Sequence, residues 1–407
     1  MNNKKYIFLT NAYMPNPGAT GVCVHQVAKD LVSRGEDVVV ICFEDGNNHK
    51  SVVDSIRTVR IKAPFFIQPY KGKNKYMSRC HWAVGLISKL LYINKYPLRS
   101  KKLVSRYLKA INREEDNQTD LCIIATYTPL EGVVAAAKYK EKNRGAKLIY
   151  YSTDTLSNET GESGILSAKN RTKLGLKWEL YLFSVYDRIL IMDSHRNHYE
   201  KEIYRQFSSK IKYASFPLIV KPVFYNKTIV KHTVNTIVFA GNLYSKMRNP
   251  KYICNLMTST FSSSQIRVIF IGGGDCIEEM KSLSRESKGM IQYVGFQPYT
   301  YVEKALSEAD VLLSIGNSFS SMCPSKIYEY MSTGKPIIHS YTYEKDPCLE
   351  PLEKYGNSLL LKEDENGNQE KLVSFISNIK VLDYSIVAHN FESNTPQFTS
   401  GLITSVE

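Results

Sequence analysis

The part of the sequence that most constrains the fold lies between residues 310 and 338. Residues 310–315 form a short apolar run, which is typical of a buried parallel strand. After a polar loop, apolar residues recur at helical spacing, at Ile327, Tyr330 and Met331. Ser325 is a suitable N-cap for this helix, and Gly334 with Pro336 ends it before the next apolar run. The stretch predicts strand, loop, helix and strand, the repeating unit of doubly wound α/β domains.

The start of the predicted helix at Ser325 is suited to an anion. Its free backbone N–H groups and the positive end of its dipole point beyond the carboxyl edge of the sheet, where phosphate is the natural ligand. Glu329 follows about one turn into the helix, and its two carboxylate oxygens match the two hydroxyls of a ribose. A solvated glutamate, which the dipole favours near any helix start, is the alternative interpretation.

This stretch resembles a known family in the run Pro324-Ser325-Lys326-Ile327-Tyr328-Glu329-Tyr330-Met331 followed by Gly334-Lys335-Pro336. It is similar to the nucleotide-sugar site of GT-B glycosyltransferases, in particular glycosyltransferase family 4. Many members carry two glutamates eight positions apart, one near the donor sugar and one on the ribose. Glu329 matches the second glutamate, and Ser321 stands where the first would fall. The resemblance implies that Pro324, Ser325 and Lys326 bind the donor together with these two residues.

Length and charge limit the possible classes of protein. With 407 residues the chain is too long for one compact core and suits two domains of roughly 150 to 200 residues. Its 43% hydrophobic and 23% charged residues are ordinary for a globular protein. The 53 Lys and Arg outnumber the 39 Asp and Glu, which gives a net charge of +14. This surplus indicates an anionic partner, either nucleic acid, an acidic membrane surface or a phosphorylated substrate.

The cysteines and the apolar runs indicate a cytoplasmic protein. The eight cysteines form no C-x-x-C pair, so we expect reduced core thiols rather than a zinc site or a redox motif. We find no signal-peptide pattern and no apolar run of the ~18 residues that a membrane span needs. If a membrane matters, we expect the protein to be peripheral, at the inner face of the plasma membrane.

The segment 69–113 contains twelve Lys or Arg residues and no Asp or Glu, interleaved with aromatic and aliphatic residues such as Trp82. A helix of this composition is suited to the headgroup layer of an anionic membrane. A helical pair packed on its own domain, with a solvated basic face, is the alternative. Nucleic acid would also bind such a patch, but we expect no nucleic-acid partner because no known nucleic-acid module accompanies it.

The N-terminal part of the chain has the same α/β rhythm. A strand at 6–12 leads into a turn-rich loop, in which Gly18 and Gly21 allow a close approach to a ligand or form a plain tight turn. Asp154 follows the predicted strand 147–152, where it would act on an acceptor hydroxyl or cap a helix. The resemblance implies a donor role for the glycine loop. It also places Asp154 on the acceptor side, so we predict Asp154 as the catalytic residue.

The C-terminal part begins with a predicted strand at 236–241. The loop behind it carries Lys246 and Arg248, which are suited to clamp a diphosphate, with exposed surface charge as the alternative. The resemblance implies that an Arg and a Lys of this loop bind the donor diphosphate, and Asn242 stands where a family Arg often lies. It further implies that the loop with Gly295 and Phe296 holds the nucleobase, largely through backbone groups. We also predict donor contacts at Gly241 and at Gly273, whose glycine turn after a strand can approach a ligand closely.

These elements predict an α/β fold of two doubly wound, Rossmann-like domains, which is the GT-B fold. We expect an acceptor-binding domain at 1–215, a linker at 216–233, a donor-binding domain at 234–383 and helices at 384–407 that pack back on the first domain. We expect the active site in the cleft between the domains.

The predicted function is glycosyl transfer from a nucleoside-diphosphate sugar to a lipid-linked or cell-surface polysaccharide acceptor. We expect no cofactor and no metal, because no D-x-D pair follows a strand and fixed cations would replace the ion. The resemblance implies retention of the anomeric configuration. A sugar-nucleotide epimerase or a non-catalytic nucleotide-binding scaffold of the same fold is the alternative. A nucleic-acid-binding protein that uses the segment 69–113 is the third possibility, and co-sedimentation with anionic vesicles or duplex DNA would separate it from the others.

Overall fold

The computed structural model describes residues 4–44, 52–67, 75–115, 120–157, 166–222, 234–318 and 324–406. The chain divides into two compact units. The first unit comprises Met1–Pro217 together with Pro396–Glu407, and the second comprises Leu218–Thr395.

Fourteen strands occur in the described part of the chain. They are β1 (Lys4–Leu9), β2 (Asp37–Phe43), β3 (Val52–Val53), β4 (Ile56–Ile61), β5 (Asp120–Thr126), β6 (Lys147–Ser152), β7 (Arg188–Met192), β8 (Ile211–Ala214), β9 (Asn235–Ala240), β10 (Ile266–Ile271), β11 (Ile291–Gly295), β12 (Val311–Ile315), β13 (Ile337–Tyr341) and β14 (Ser358–Lys362).

The same residues contain fourteen α-helices. They are α1 (Ala19–Ser33), α2 (Lys75–Leu91), α3 (Lys101–Glu114), α4 (Leu130–Lys142), α5 (Ala168–Val185), α6 (Arg196–Tyr199), α7 (Lys251–Thr260), α8 (Ile277–Glu286), α9 (Tyr299–Glu308), α10 (Lys326–Ser332), α11 (Leu349–Tyr355), α12 (Asn368–Ser377), α13 (Tyr384–Asn390) and α14 (Pro396–Thr404).

The sheet of the first unit has eight strands in the order β3-β4-β2-β1-β5-β6-β7-β8. All neighbouring strands are parallel except β3 and β4. β2 and β5 are almost continuous runs of buried apolar residues, as expected for parallel strands covered on both faces. β4 and β8 were not predicted from the sequence, because both are short and mix charged with apolar residues, for example Arg57 and Arg60 in β4.

The sheet of the second unit has six parallel strands in the order β11-β10-β9-β12-β13-β14. The chain runs outward from β9 to β11, returns to place β12 beside β9, and then continues to β14. The strand order therefore reverses between β9 and β12. In open parallel sheets this reversal leaves a crevice outside the carboxyl ends of the two strands, where ligands bind.

Apolar clusters cover both faces of the second sheet. One face carries α7, α8 and α12, with Met257, Met280 and Leu372 buried against the strands. The other face carries α9, α10, α11 and α13, with Tyr330 and Leu352 among the buried residues. The predicted doubly wound arrangement is confirmed for this unit.

The division between the units is placed differently from the predicted boundaries. Leu218 and Ile219 are buried, and the Ile219 N–H donates to the Asn394 carbonyl oxygen at 2.9 Å, so the second unit begins inside the predicted linker. Residues 223–233 of that linker lie outside the described residues.

The C-terminal segment 384–407 is divided between the two units. α13 packs on α10 through buried Val387, which keeps it in the second unit. α14 belongs to the first unit, where it packs on α1 and β8, and Ser400 Oγ donates to the Asp30 carboxylate of α1. Only α14 therefore joins the first unit, as was expected for the whole segment.

Candidate functional site

The candidate donor site lies at the strand reversal of the second unit. Gly241 and Asn242 follow β9, and Gly316 and Asn317 follow β12. Both loops leave the carboxyl ends of neighbouring parallel strands, so their residues meet at one edge of the sheet. Three of the predicted donor residues, Gly241, Asn242 and Arg248, come together here.

Glycine allows the loops after β9 and β10 to lie directly against each other. Gly272 has a φ of +144°, and a Cβ atom at this position would lie 1.8 Å from the Gly241 carbonyl oxygen. The N–H of Gly273 donates to Asn242 Oδ1 at 3.1 Å. Larger residues would separate the two loops, so the glycine-rich turn fixes the position of Asn242.

Arg248 is a half-buried cation at this edge. Its Nη2 donates to Asn317 Oδ1 at 2.9 Å, and its Nη1 donates to the Asn242 carbonyl oxygen at 3.3 Å. Burial lowers the pKa of Arg248 below its usual value, although an arginine so placed stays charged. Nε is buried without a hydrogen-bond partner, and Arg248 forms no ion pair with a carboxylate among the described residues. The structure thus holds the guanidinium in place without neutralising it.

Lys246 belongs to the same loop but is exposed to solvent. The loop turns back at this point, because the N–H of Arg248 donates to the Tyr244 carbonyl oxygen at 2.7 Å. The two predicted diphosphate ligands therefore have different surroundings, with Arg248 anchored at the strand reversal and Lys246 on the surface.

α10 is the short helix on which the sequence analysis centred. Ser325 occupies the position before Lys326 but already has helical backbone angles, and its side chain makes no capping hydrogen bond. The expected N-cap is therefore wrong, because a capping residue must leave the helical conformation to reach the next turn. Tyr330 anchors the helix instead, since its hydroxyl oxygen accepts the Ala240 N–H at 2.8 Å at the end of β9.

Glu329 and Lys326 form an ion pair within the first turn of α10. Lys326 Nζ lies 2.6 Å from Glu329 Oε2, and the glutamate side chain is 16% exposed. The acid predicted to bind a ribose thus has a local partner. Pro324 and Ser325, which precede this turn, are half-buried.

Two other predicted donor contacts lie at the end of β11. Gly295 has a φ of +70°, and its carbonyl oxygen accepts the Gly272 N–H at 2.9 Å. Phe296 follows with 74% of its side chain exposed. Ser321 lies outside the described residues.

The glycine loop of the first unit leads into α1. Gly18 is the residue before α1, and a Cβ atom there would meet open space. A Cβ atom at Gly21 would lie 2.2 Å from the Ala12 carbonyl oxygen, so this glycine is required by the chain's own turn. Thr20 Oγ1 lies 3.2 Å from Thr153 Oγ1, which places the start of α1 beside the end of β6.

Asp154 lies next to this contact. Its Oδ1 accepts the Thr155 N–H at 2.8 Å, and it is the N-cap of no helix in the described ranges. His195, which follows β7, brings Nε2 to 3.9 Å from the same oxygen. Burial lowers the pKa of His195, and the charge of Asp154 opposes this effect. The sequence analysis missed His195, although a polar residue just after a buried strand was the available signal.

The basic aromatic segment forms α2 and α3 where it is described; Lys71 and Lys73 fall outside the described residues. α3 buries one apolar face, which includes Tyr107. α2 exposes large apolar side chains at Tyr76, Met77, Trp82, Val84, Ile87, Leu90 and Leu91, and Trp82 is 69% exposed. The alternative interpretation, a helical pair packed on its own domain, therefore describes α3. It does not describe α2, which keeps many apolar side chains exposed. No described helix has the length and apolar character required to cross a bilayer.

Comparisons with known proteins bear on this arrangement. Residues 234–378 match the family model described as Glycosyl transferases group 1. No curated protein sequence matches the chain. Among solved structures, it resembles WaaG, a glycosyltransferase involved in lipopolysaccharide biosynthesis, with a TM-score of 0.54 and 11% identity over 98% of this chain and 100% of that one.

Two further structures have the same fold. A glycosyltransferase from Rickettsia africae has a TM-score of 0.56 and 12% identity, with 100% of this chain and 94% of that chain covered. The lipopolysaccharide outer core galactosyltransferase WaaB has a TM-score of 0.50 and 14% identity over 99% of both chains. Identities this low establish the fold alone, whereas the family model covers residues 234–378, which include the loops after β9 and β12. The chain therefore has the GT-B fold, and its residues 234–378 form a domain that matches the group 1 glycosyltransferases.

Proposed function

We propose that the protein transfers a sugar from a nucleoside-diphosphate sugar to a lipid-linked or cell-surface polysaccharide acceptor. The observation that carries this proposal is Arg248, a half-buried guanidinium at the strand reversal with no described carboxylate partner. A buried charge requires a counter-ion or full hydrogen bonding, and a diphosphate supplies both. Lys326 and exposed Lys246 add positive charge for the two phosphate groups.

The donor groups have separate tasks in this proposal. Arg248 holds one phosphate with the fork of its guanidinium, which Asn317 keeps oriented. Glu329 accepts hydrogen bonds from the ribose hydroxyls, with Lys326 balancing its charge. Gly273 and Gly295 have no side chains, so the nucleoside lies directly against the backbone of their two loops and against Phe296.

The transfer step follows from these assignments. The acceptor oxygen bonds to the anomeric carbon, and the bond from that carbon to the diphosphate oxygen breaks. The electron pair of the broken bond stays on the nucleoside diphosphate, where Arg248 and Lys246 offset the growing charge. Asp154, with His195 beside it, orients the acceptor hydroxyl, whose proton passes to the departing phosphate. We propose that no catalytic metal ion takes part, because these cations stabilise the leaving group. We also propose retention of configuration, because an acceptor that passes its proton to the departing phosphate approaches the sugar on the same face.

The acceptor class rests on two considerations. WaaG is described as involved in lipopolysaccharide biosynthesis, and WaaB as a lipopolysaccharide outer core galactosyltransferase. A similar acceptor, attached to a lipid, suits a protein with an exposed apolar helix. We propose that α2 lies in the headgroup layer at the inner face of the plasma membrane. Ile87 and Leu91, which share an exposed face of α2, would enter the interface while Arg79 and Lys89 contact anionic lipid, each basic residue adding about 1 kcal/mol.

Binding of nucleoside diphosphates tests the donor site directly. Uridine, guanosine, adenosine and cytidine diphosphates are screened by thermal shift, since a ligand that binds only the folded protein stabilises it. One of them should raise the melting temperature, and Arg248→Met should weaken its binding by about 10- to 100-fold. Arg267→Met is the matched control, because Arg267 is an exposed arginine on β10. Equal loss in both variants, or none in either, contradicts the proposed site.

Turnover distinguishes transfer from the alternatives of the same fold. The protein is incubated with the nucleotide sugar selected by the screen, with and without a lipid-linked saccharide, in the presence of a chelator. We expect release of nucleoside diphosphate that depends on the acceptor. Formation of an epimeric nucleotide sugar without an acceptor, or binding without any turnover, would replace this function by one of the alternatives.

Vesicle binding tests the role of α2. Trp178→Phe leaves Trp82 as the single tryptophan, whose emission should shift to the blue with phosphatidylglycerol vesicles but not with phosphatidylcholine. Leu91→Glu should abolish the shift, whereas Val373→Glu, at an exposed apolar residue of α12, should not. Binding to duplex DNA in place of vesicles would contradict the membrane assignment.

A further inference from the structure

A compact group of three different side chains lies at the end of β13. His339 is on β13, and Asp346 and Cys348 are in the loop that follows it. His339 and Cys348 are 0% exposed and Asp346 is 4% exposed. A ring nitrogen, a carboxylate oxygen and the thiol sulfur all lie within 4.8 Å of one another.

Two buried atoms of this group face each other. His339 Nε2 and Asp346 Oδ2 lie 3.4 Å apart, within ion-pair distance, but neither makes a hydrogen bond among the described residues. Two nitrogen or oxygen ligands at about 2.0–2.1 Å from a tetrahedral zinc ion are separated by about 3.3 Å, so this spacing suits two neighbouring ligands of one ion.

The neighbouring hydrogen bonds hold both atoms toward the same point. His339 Nδ1 lies 3.0 Å from Ser314 Oγ on β12. This contact occupies the ring nitrogen that does not face Asp346. Asp346 Oδ1 accepts the Cys348 N–H at 2.8 Å, which leaves Oδ2 for another partner. Metal-binding histidines and carboxylates are oriented by outer hydrogen bonds of this kind.

We propose that His339, Asp346 and Cys348 bind a zinc ion that has a structural role. Zinc binds imidazole nitrogen, thiolate sulfur and carboxylate oxygen, whereas magnesium and calcium require oxygen ligands throughout. Cys348 loses its proton to solvent on binding, and the thiolate and carboxylate then balance the charge of the ion. The described residues supply these three ligands.

The ion would join the loop after β13 to the edge of the sheet. Asp346 also lies against Gly316, where a Cβ atom would be 2.1 Å from its Oδ2, so the loop is in close contact with the turn that precedes Asn317. The zinc ion would fix this loop without taking part in glycosyl transfer. The site was missed in the sequence because its spacing, H-x₆-D-x-C, is not that of a paired-cysteine motif.

Metal analysis of the full-length protein tests the proposal. The wild type, purified without chelator and dialysed against zinc and then against buffer, should retain about one zinc ion per chain. His339→Ala and Cys348→Ala should lose it. Cys254→Ala is the matched control, because Cys254 is a buried cysteine of the same unit outside the cluster, and it should retain the metal.

Cobalt supplies a second measurement that does not depend on a variant folding well. Cobalt-loaded wild type should show a thiolate-to-cobalt charge-transfer band, and removal of the metal should lower the melting temperature. The band should be absent in folded Cys348→Ser. A wild type that retains neither zinc nor cobalt, or a Cys348 variant that keeps its metal, would overturn the proposal.

Discussion

Arg248 Nη2 donates a hydrogen bond to Asn317 Oδ1 at 2.9 Å, and the two residues come from loops on either side of the strand reversal in the second sheet. Arg248 follows β9 and Asn317 follows β12, although nearly seventy positions separate them in the chain. This contact orients the guanidinium before any ligand arrives. Orientation in advance would reduce the entropy that Arg248 loses on binding the proposed diphosphate.

The first prediction concerns this contact. Asn317→Ala should leave Arg248 charged but less well oriented, and should weaken nucleoside diphosphate binding by about 3- to 10-fold. The measurement is calorimetric titration with the diphosphate selected by the screen. Asn249→Ala serves as the control. Asn249 lies in the same loop as Arg248, but its amide donates to the Ser245 carbonyl oxygen. An unchanged affinity in Asn317→Ala would mean that the contact does not orient Arg248.

The second prediction concerns Glu329. If its carboxylate binds the ribose, the wild type should prefer the ribonucleoside diphosphate to its 2′-deoxy counterpart by about tenfold, a difference of about 1.4 kcal/mol. Glu329→Ala should bind both equally. Affinities for the two ligands, measured with both proteins, form a cycle that isolates the ribose contact.

Lys326 complicates this measurement because it pairs with Glu329 at 2.6 Å. Lys326→Met therefore provides the comparison: it should weaken both ligands while the wild-type preference for ribose remains. A preference for ribose that survives Glu329→Ala would contradict the assigned role and leave Glu329 as a charge partner of Lys326.

Much of the second unit could be predicted from the sequence. Val311–Ile315 and Ile337–Tyr341 are short apolar runs bounded by polar or turn-forming residues, and a buried parallel strand requires little more than that. α10 was predicted as well, because Ile327, Tyr330 and Met331 share one buried face. Local pattern determines these elements, so a local analysis finds them.

Contacts between distant segments could not be predicted in this way. Asn317 is an ordinary loop residue until the sheet order brings it beside Arg248, and His195 becomes relevant only because β7 lies next to β6. Ser325 shows the opposite case. Its residue type suits an N-cap, but its backbone angles are helical and its side chain makes no capping hydrogen bond.

The third prediction uses Lys335, whose ammonium group is buried and donates to the Ser307 and Ala309 carbonyl oxygens. Burial lowers the pKa of Lys335 from 10.5 to about 8. Between pH 8 and 10.5 the unfolded chain therefore binds more protons at this residue than the folded protein. The free energy of unfolding should therefore rise with pH across that window. Below pH 8 Lys335 is charged in the folded protein, so the full destabilisation from its burial is present there.

The size of this effect follows from the pKa difference. From pH 7.5 to 9.5 the contribution of Lys335 to the free energy of unfolding should increase by about 2 kcal/mol. Urea denaturation of the wild type and of Lys335→Met at both pH values isolates the contribution of Lys335, because the variant should lack this increase in the free energy of unfolding. Lys304→Met, at an exposed lysine of α9, should behave like the wild type. The same pH response in all three proteins would contradict the prediction.

The last prediction concerns Asp154 and separates catalysis from binding. Asp154→Asn keeps the shape of the side chain, and its Oδ1 can still accept the Thr155 N–H, but it removes the charge that faces His195. Turnover should fall by about 100-fold or more, while the affinity for the nucleoside diphosphate stays within about twofold, because the proposed diphosphate and ribose ligands Arg248 and Glu329 lie in the second unit. The matched control is Asp193→Asn, an exposed aspartate near His195 that pairs with Arg196. Loss of donor affinity with unchanged turnover would remove Asp154 from the chemistry.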